Sequence, residues 1–123
     1  YEGKMSHEEN KVINELKIIN FEKEKLVINK GFFFERNIVN FIIPKNVSFA
    51  YLDFDFYQPT LDVLNMLEKI IVNKGIIIVD DYDFFSTGVK TAVDSWINKN
   101  KENFTIKQIK TSLSSFVTIK KVR

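Results

Sequence analysis

Apolar positions recur along this chain at two different spacings, and each spacing predicts a different element. Three segments repeat apolar side chains every three or four residues, which predicts amphipathic helices over 6–19, 59–72 and 87–99. Five short apolar runs bounded by turn residues predict strands at 26–28, 47–53, 76–79, 104–108 and 115–120. The strongest strand signal is the run of four β-branched residues from Ile76 to Val79.

The order of these elements predicts the fold class. Strands that alternate with helices of about 10 to 15 residues are typical of an α/β protein with a mainly parallel sheet. The last two strands follow each other without a helix, which predicts an antiparallel C-terminal edge. With 45% hydrophobic residues in 123, the chain has enough apolar material for one core, so we expect residues 1–123 to form a single domain.

Composition excludes several classes of function. Eighteen Lys and Arg against sixteen Asp and Glu give a net charge of +2, too small for the basic field that holds nucleic acid or an anionic membrane. The absence of cysteine excludes disulfide scaffolds, thiolate metal sites and cysteine nucleophiles, and a single histidine excludes a multi-histidine metal site. Because no apolar stretch approaches the roughly 20 residues of a membrane span and no signal peptide is present, we expect a soluble, cytoplasmic protein.

Pairs of acidic residues follow two of the predicted strands. Asp53 ends the strand at 47–53 and Asp55 follows it, and Asp80 and Asp81 come after the next strand. Ligands of parallel α/β sheets bind at the carboxyl ends of strands, so these four side chains converge if the two strands are neighbours. Clustered carboxylates repel one another unless a cation neutralises them, which predicts an all-oxygen site for Mg²⁺ or Mn²⁺. The plainer alternative is that each motif only forms a turn or caps a helix.

Three segments carry a resemblance to a known family: they span 49–60, 73–82 and 88–94, with earlier landmarks at 1–3 and 27–32. Together they resemble the macrocin O-methyltransferase family. The resemblance implies a Rossmann-like class I methyltransferase fold. It also implies S-adenosylmethionine and Mg²⁺ as cofactors, with Mn²⁺ as a substitute, and methyl transfer to the hydroxyl of a sugar or similar polyol.

The resemblance also implies roles for the acidic residues. The family's metal ligands correspond to Asp53, Asp80 and Asp81, and its proposed general base corresponds to Asp55. The family usually carries glycine between the two aspartates of the first motif, and here Phe54 stands in that place.

The family's cofactor site is matched only in part. Gly31 and Phe32 correspond to the region that contacts adenine. The four glycines lie far apart, so we expect the glycine-rich loop and the N-terminal strand to be missing, and the chain to be the C-terminal part of a larger methyltransferase domain. If the chain stands alone, the strand ending at Asp53 exposes an edge, which predicts a homo-oligomer or pairing with another chain.

Two other functions remain open from the sequence. A glycosyltransferase could use Asp53 and Asp55 to hold Mn²⁺ against a nucleotide sugar, although this gives the paired Asp80 and Asp81 no particular role. A non-catalytic remnant that assembles with a partner would explain the absent cofactor loop. Methyl transfer to a small-molecule hydroxyl accounts for both acidic motifs.

Overall fold

The computed structural model describes residues 8–33, 38–84 and 86–123. The family landmark at 1–3 and the start of the helix predicted over 6–19 lie outside these ranges. The helix predicted over 6–19 is found as α1 over its described part, Glu9–Ile18.

The remaining elements follow the predicted order. They are a 3₁₀ turn at Lys23–Lys25, β1 (Val47–Leu52), α2 (Tyr57–Ile70), β2 (Ile71–Val79), α3 (Gly88–Asn100), β3 (Phe104–Lys110) and β4 (Ser115–Lys121). Pro59 lies in the first turn of α2, where its missing N–H would have no partner within the helix. No helix in the described part of the chain is both long enough and apolar enough to cross a membrane.

The strands form one mixed sheet in the order β1-β2-β4-β3. β1 pairs with β2 in parallel, whereas β2 with β4 and β4 with β3 are antiparallel. The α/β class and the antiparallel C-terminal edge are therefore confirmed. Within the described ranges only one of the three strand pairs is parallel, a smaller share than the prediction of a mainly parallel sheet.

The prediction of a strand at 26–28 is wrong, because these residues form no ladder with any described strand. The segment is instead held by the side chain of Asn29, whose Nδ2 donates to the Ile42 carbonyl at 3.0 Å while its Oδ1 accepts from the Ile42 amide at 2.8 Å. The Asn29 side chain thus satisfies both backbone polar groups of Ile42 and ties the residue after this segment to it.

The junction between α2 and β2 also differs from the prediction. The helix was expected to reach Val72 and to stop at 73–75, but it ends at Ile70 and Ile71 already belongs to β2. The residues at 73–75 form an irregularity within the strand, with Lys74 at a φ of +66°. A Cβ on Gly75 would lie 2.6 Å from Ile71 Cγ1 and 2.8 Å from the Val72 carbonyl oxygen, so glycine allows this close approach.

Both long helices pack on one face of the sheet. Alternate strand residues such as Leu52, Ile77 and Val117 point into a core shared with both helices. Trp96 of α3 is 1% exposed and meets the ring of Phe104 edge-on at 4.8 Å. This packing fixes the end of the sheet from which the acidic loops project.

Candidate active site

The two acidic loops lie side by side because β1 and β2 are neighbours. The two strands run in parallel, so their carboxyl ends meet at the same edge of the sheet. Beyond the last paired residues, Leu52 and Val79, the Asp80 amide donates to the Leu52 carbonyl at 2.8 Å. The predicted convergence of the two acidic motifs is therefore found.

Three carboxylates form a compact group at this edge. Asp53, Asp55 and Asp81 each offer one oxygen, and these oxygens all lie within 4.8 Å of one another. Asp53 is exposed, whereas Asp55 and Asp81 are half-buried. An open cluster of carboxylate oxygens suits a hard divalent cation such as Mg²⁺, which prefers oxygen ligands and retains several waters.

Backbone geometry places two of these carboxylates. Asp55 has a φ of +61° and Asp81 a φ of +53°, both in the left-handed region. Aspartate tolerates this region better than most residues, although the conformation still costs about 1 kcal/mol or more. Each left-handed residue turns the chain immediately after a strand and directs its carboxylate toward the other loop.

The fourth acid, Asp80, is engaged elsewhere. The Tyr51 hydroxyl donates to its Oδ2, and its Oδ1 accepts from the Asp81 amide at 2.9 Å. Sequence analysis missed Tyr51. The signal was present in the alternation of the strands, because Tyr51 faces Ile78 in the register and Asp80 lies two residues beyond Ile78.

Burial and the closeness of the acids raise the pKa values of several groups in the site. The pKa of Asp81 rises to about 6, mainly because of burial, with further contributions from a hydrogen bond with Asp55 and from the neighbouring negative charges. Burial also raises the pKa of Asp53, as do the charges of Asp55 and Asp80. The hydrogen bond to Asp80 is the main reason that the pKa of Tyr51 rises to about 12. The site thus carries negative charge that a bound cation would stabilise.

A cavity of about 430 Å³ opens beside Asp53. It is lined by Phe32, Phe33, Asp53, Phe54, Phe56 and Pro59. Phe32, which was predicted to contact adenine, therefore lies in the same cavity as a candidate metal ligand. Gly31 lies next to it in the chain with a φ of +135°, a conformation that favours glycine, but is not among the lining residues.

Comparison with known proteins decides the family. The family model for macrocin-O-methyltransferase (TylF) matches residues 3–116. The chain belongs to the macrocin-O-methyltransferase family. A search of curated proteins gave no match.

A solved structure supports the fold. It is described as an rRNA methylase from Clostridium thermocellum and superposes with a TM-score of 0.70 at 17% sequence identity. The alignment covers 93% of this chain and 66% of that one. The chain therefore spans less than two thirds of that structure, and the likeness establishes a Rossmann-like methyltransferase fold.

The structure explains how this member of the family accommodates Phe54 where glycine is usual. The left-handed backbone falls on Asp55, and Phe54 is not among the residues with positive φ, so a side chain fits there. The Phe54 ring is half-buried and lies 5.7 Å from the ring of Phe33. The replacement thus adds an aromatic wall to the cavity beside Asp53.

The grouping of the acids differs from the ligand set that the family resemblance implies. Asp53 and Asp81 lie in the compact group as expected, but Asp55 completes it and Asp80 is bound to Tyr51. The assignment of Asp53, Asp80 and Asp81 as metal ligands and of Asp55 as the base stays a prediction.

Proposed function

We propose that this chain contributes the catalytic edge of an S-adenosylmethionine-dependent O-methyltransferase that acts, with Mg²⁺, on a hydroxyl of a sugar or similar polyol. The observation that carries the proposal is the group formed by Asp53, Asp55 and Asp81 at the carboxyl ends of parallel strands. It occurs in a chain of the macrocin-O-methyltransferase family, whose name describes this reaction class. The family match favours this function over the glycosyltransferase alternative.

Methyl transfer to a hydroxyl requires an activated oxygen, ligands for the cation and a base for the proton. Mg²⁺, when bound, lowers the pKa of an alcohol and fixes its oxygen for in-line attack. The predicted ligands Asp53, Asp80 and Asp81 would hold the cation, and Asp55 would accept the hydroxyl proton as a general base. S-adenosylmethionine, when bound, would supply the methyl group: a C–O bond would form as the bond from the methyl carbon to sulfur breaks, and the electron pair would stay on sulfur to give S-adenosylhomocysteine.

The aromatic cavity suits the cofactor and the acceptor. Phe32 would pack against the adenine ring, with Gly31 providing the turn before it. Phe54 and Phe56 offer apolar surface to the C–H face of a sugar ring. A polyol with adjacent hydroxyls would reach the cation with two oxygens, which favours a diol as the acceptor.

The first experiment is a calorimetric titration of S-adenosylhomocysteine into the protein with Mg²⁺ present. We expect saturable binding near one per chain. No binding to the folded protein would contradict the proposal and favour a non-catalytic remnant that assembles with a partner. The predicted sugar acceptor, the lack of nucleic-acid and membrane partners, the pairing through the β1 edge and the cytoplasmic location stay predictions.

Two substitutions then test the roles of the acids. We expect Asp55→Asn to retain Mn²⁺ binding, measured by electron paramagnetic resonance, and to lower turnover, because only the base is lost. Loss of Mn²⁺ binding in this variant would make Asp55 a ligand instead. Asp80→Asn is expected to abolish Mg²⁺-dependent activity, and full activity would exclude Asp80 from the metal site.

A further inference from the structure

The residue after Asp81 is tied to α3 by a group of part-buried polar contacts. Tyr82 is 7% exposed, and its hydroxyl donates to Asp94 Oδ1 at 2.6 Å. Lys90 Nζ lies 2.5 Å from Asp94 Oδ2 and 3.3 Å from the Tyr82 hydroxyl. Lys90 and Asp94 are one helical turn apart, so α3 presents both groups to the Tyr82 hydroxyl.

Each member of this group restrains the others. Lys90 Nζ also lies 5.1 Å from the centroid of the Tyr82 ring. Burial alone would raise the pKa of Asp94, but hydrogen bonds from Lys90 and Tyr82 outweigh it and lower the pKa, so the carboxylate is ionised at neutral pH. A buried tyrosine hydroxyl on an ionised acceptor makes a strong hydrogen bond.

These contacts restrain the acidic loop from the side opposite β1. On one side of Asp81, the Asp80 amide is bonded to Leu52 of β1. On the other side, Tyr82 is bonded to α3. Asp81 adopts a left-handed conformation between these two attachments, so its carboxylate position depends on both.

We propose that Tyr82, Lys90 and Asp94 form an anchor that sets the position of the Asp81 carboxylate, which makes Tyr82 a positioning residue of the metal site. The contact with α3 rests on geometry alone, whereas the effect on metal binding rests on the proposed function. Tyr82 itself contacts neither cofactor nor acceptor in this scheme.

The chain offers a matched control within the same loop. Asp83 also has a left-handed φ, +56°, and its contact with Lys110 is an exposed ion pair at 3.5 Å. Exposed pairs of this kind contribute little. Asp83→Asn therefore removes only an exposed charge from the same loop, whereas Tyr82→Phe removes one hydroxyl and keeps the buried ring.

Hydrogen exchange in metal-free protein tests the anchor itself. We expect amide exchange of the segment 80–83 to become about fivefold to tenfold faster in Tyr82→Phe, because one part-buried hydrogen bond holding the loop is lost. Asp94→Ala should do the same, the double variant should add little, and Asp83→Asn should leave exchange unchanged. Unchanged exchange in Tyr82→Phe, or faster exchange spread evenly over β4 as well, would overturn the proposal.

Mn²⁺ affinity measured on the same folded variants tests the consequence. We expect about tenfold weaker binding in Tyr82→Phe and a change of less than about twofold in Asp83→Asn, as for other residues that orient metal ligands. Wild-type affinity in Tyr82→Phe would overturn the positioning role. If the wild-type protein binds no Mn²⁺, the proposed metal site fails, and the exchange result alone decides whether the anchor exists.

Discussion

Replacing Asp81 with asparagine should stabilise the metal-free protein, although it removes a candidate metal ligand. The side chain lies among three other acids, and burial with these charges raises its pKa to about 6 from the ordinary 3.8. Asparagine carries no charge, tolerates the left-handed backbone at this position, and can still donate a hydrogen bond to Asp55. The variant therefore removes a charge that burial and the neighbouring acids disfavour, without disturbing the turn.

The size and sign of the effect follow from the pKa. A raised pKa means that the folded protein binds this proton more tightly than the unfolded chain, so ionised Asp81 lowers stability above about pH 6. This cost is lost progressively as the pH falls through 6 and is absent below about 4. The full difference corresponds to about 3 kcal/mol, and solvent screening at a half-exposed group reduces it to about 1 kcal/mol.

Thermal unfolding at neutral pH measures both consequences. In the presence of a chelator, we expect Asp81→Asn to unfold about 4 °C higher than the wild type. With Mg²⁺ about 100-fold above its dissociation constant, the wild type should gain about 2.7 kcal/mol, and the variant should gain little at the same concentration. Asp83→Asn is the matched control and should change neither value. A variant less stable than the wild type in chelator would contradict the claim that ionised Asp81 lowers the stability of the metal-free protein.

Three further predictions concern pH and packing. Mg²⁺ affinity should fall by up to about tenfold per pH unit below pH 6, because a proton competes with the cation for Asp81. A Mg²⁺ titration at several pH values checks this, and an affinity that stays constant would exclude Asp81 as a ligand. Gly75→Ala should cost about 1 to 3 kcal/mol in urea denaturation, since its Cβ would overlap Ile71, and a neutral result would contradict the close contact. Trp96→Ala should cost about 3 to 5 kcal/mol, followed by circular dichroism because the tryptophan is lost, and a cost under about 1 kcal/mol would contradict its burial.

Local patterns were enough to predict most elements. The helix predicted over 87–99 is Gly88–Asn100, and the strands predicted at 104–108 and 115–120 are Phe104–Lys110 and Ser115–Lys121. Helical spacing and strand alternation show which side of each element faces the core, and both can be recognised within a single segment of sequence. The same reasoning placed Asp53, Asp55, Asp80 and Asp81 at the carboxyl ends of their strands and predicted that they meet if those strands are neighbours.

Only the tertiary structure decided which strands pair and which acids meet. The segment at 26–28 has the composition of a buried strand, but a strand requires a partner for its backbone, and no described strand pairs with it. The helix stop predicted at 73–75 became an irregular part of β2, because packing against Ile71 determines the backbone there.

The arrangement inside the site has the same origin. Asp80 binds Tyr51, which lies 29 residues away in sequence, and Tyr82 binds Asp94 across the turn into α3. Left-handed backbone at Asp55 and Asp81 then directs their carboxylates toward Asp53. The sequence determined that acids stand at the carboxyl ends of two strands, whereas the pairing of those strands and the direction of each carboxylate depend on contacts between distant residues that no local spacing encodes.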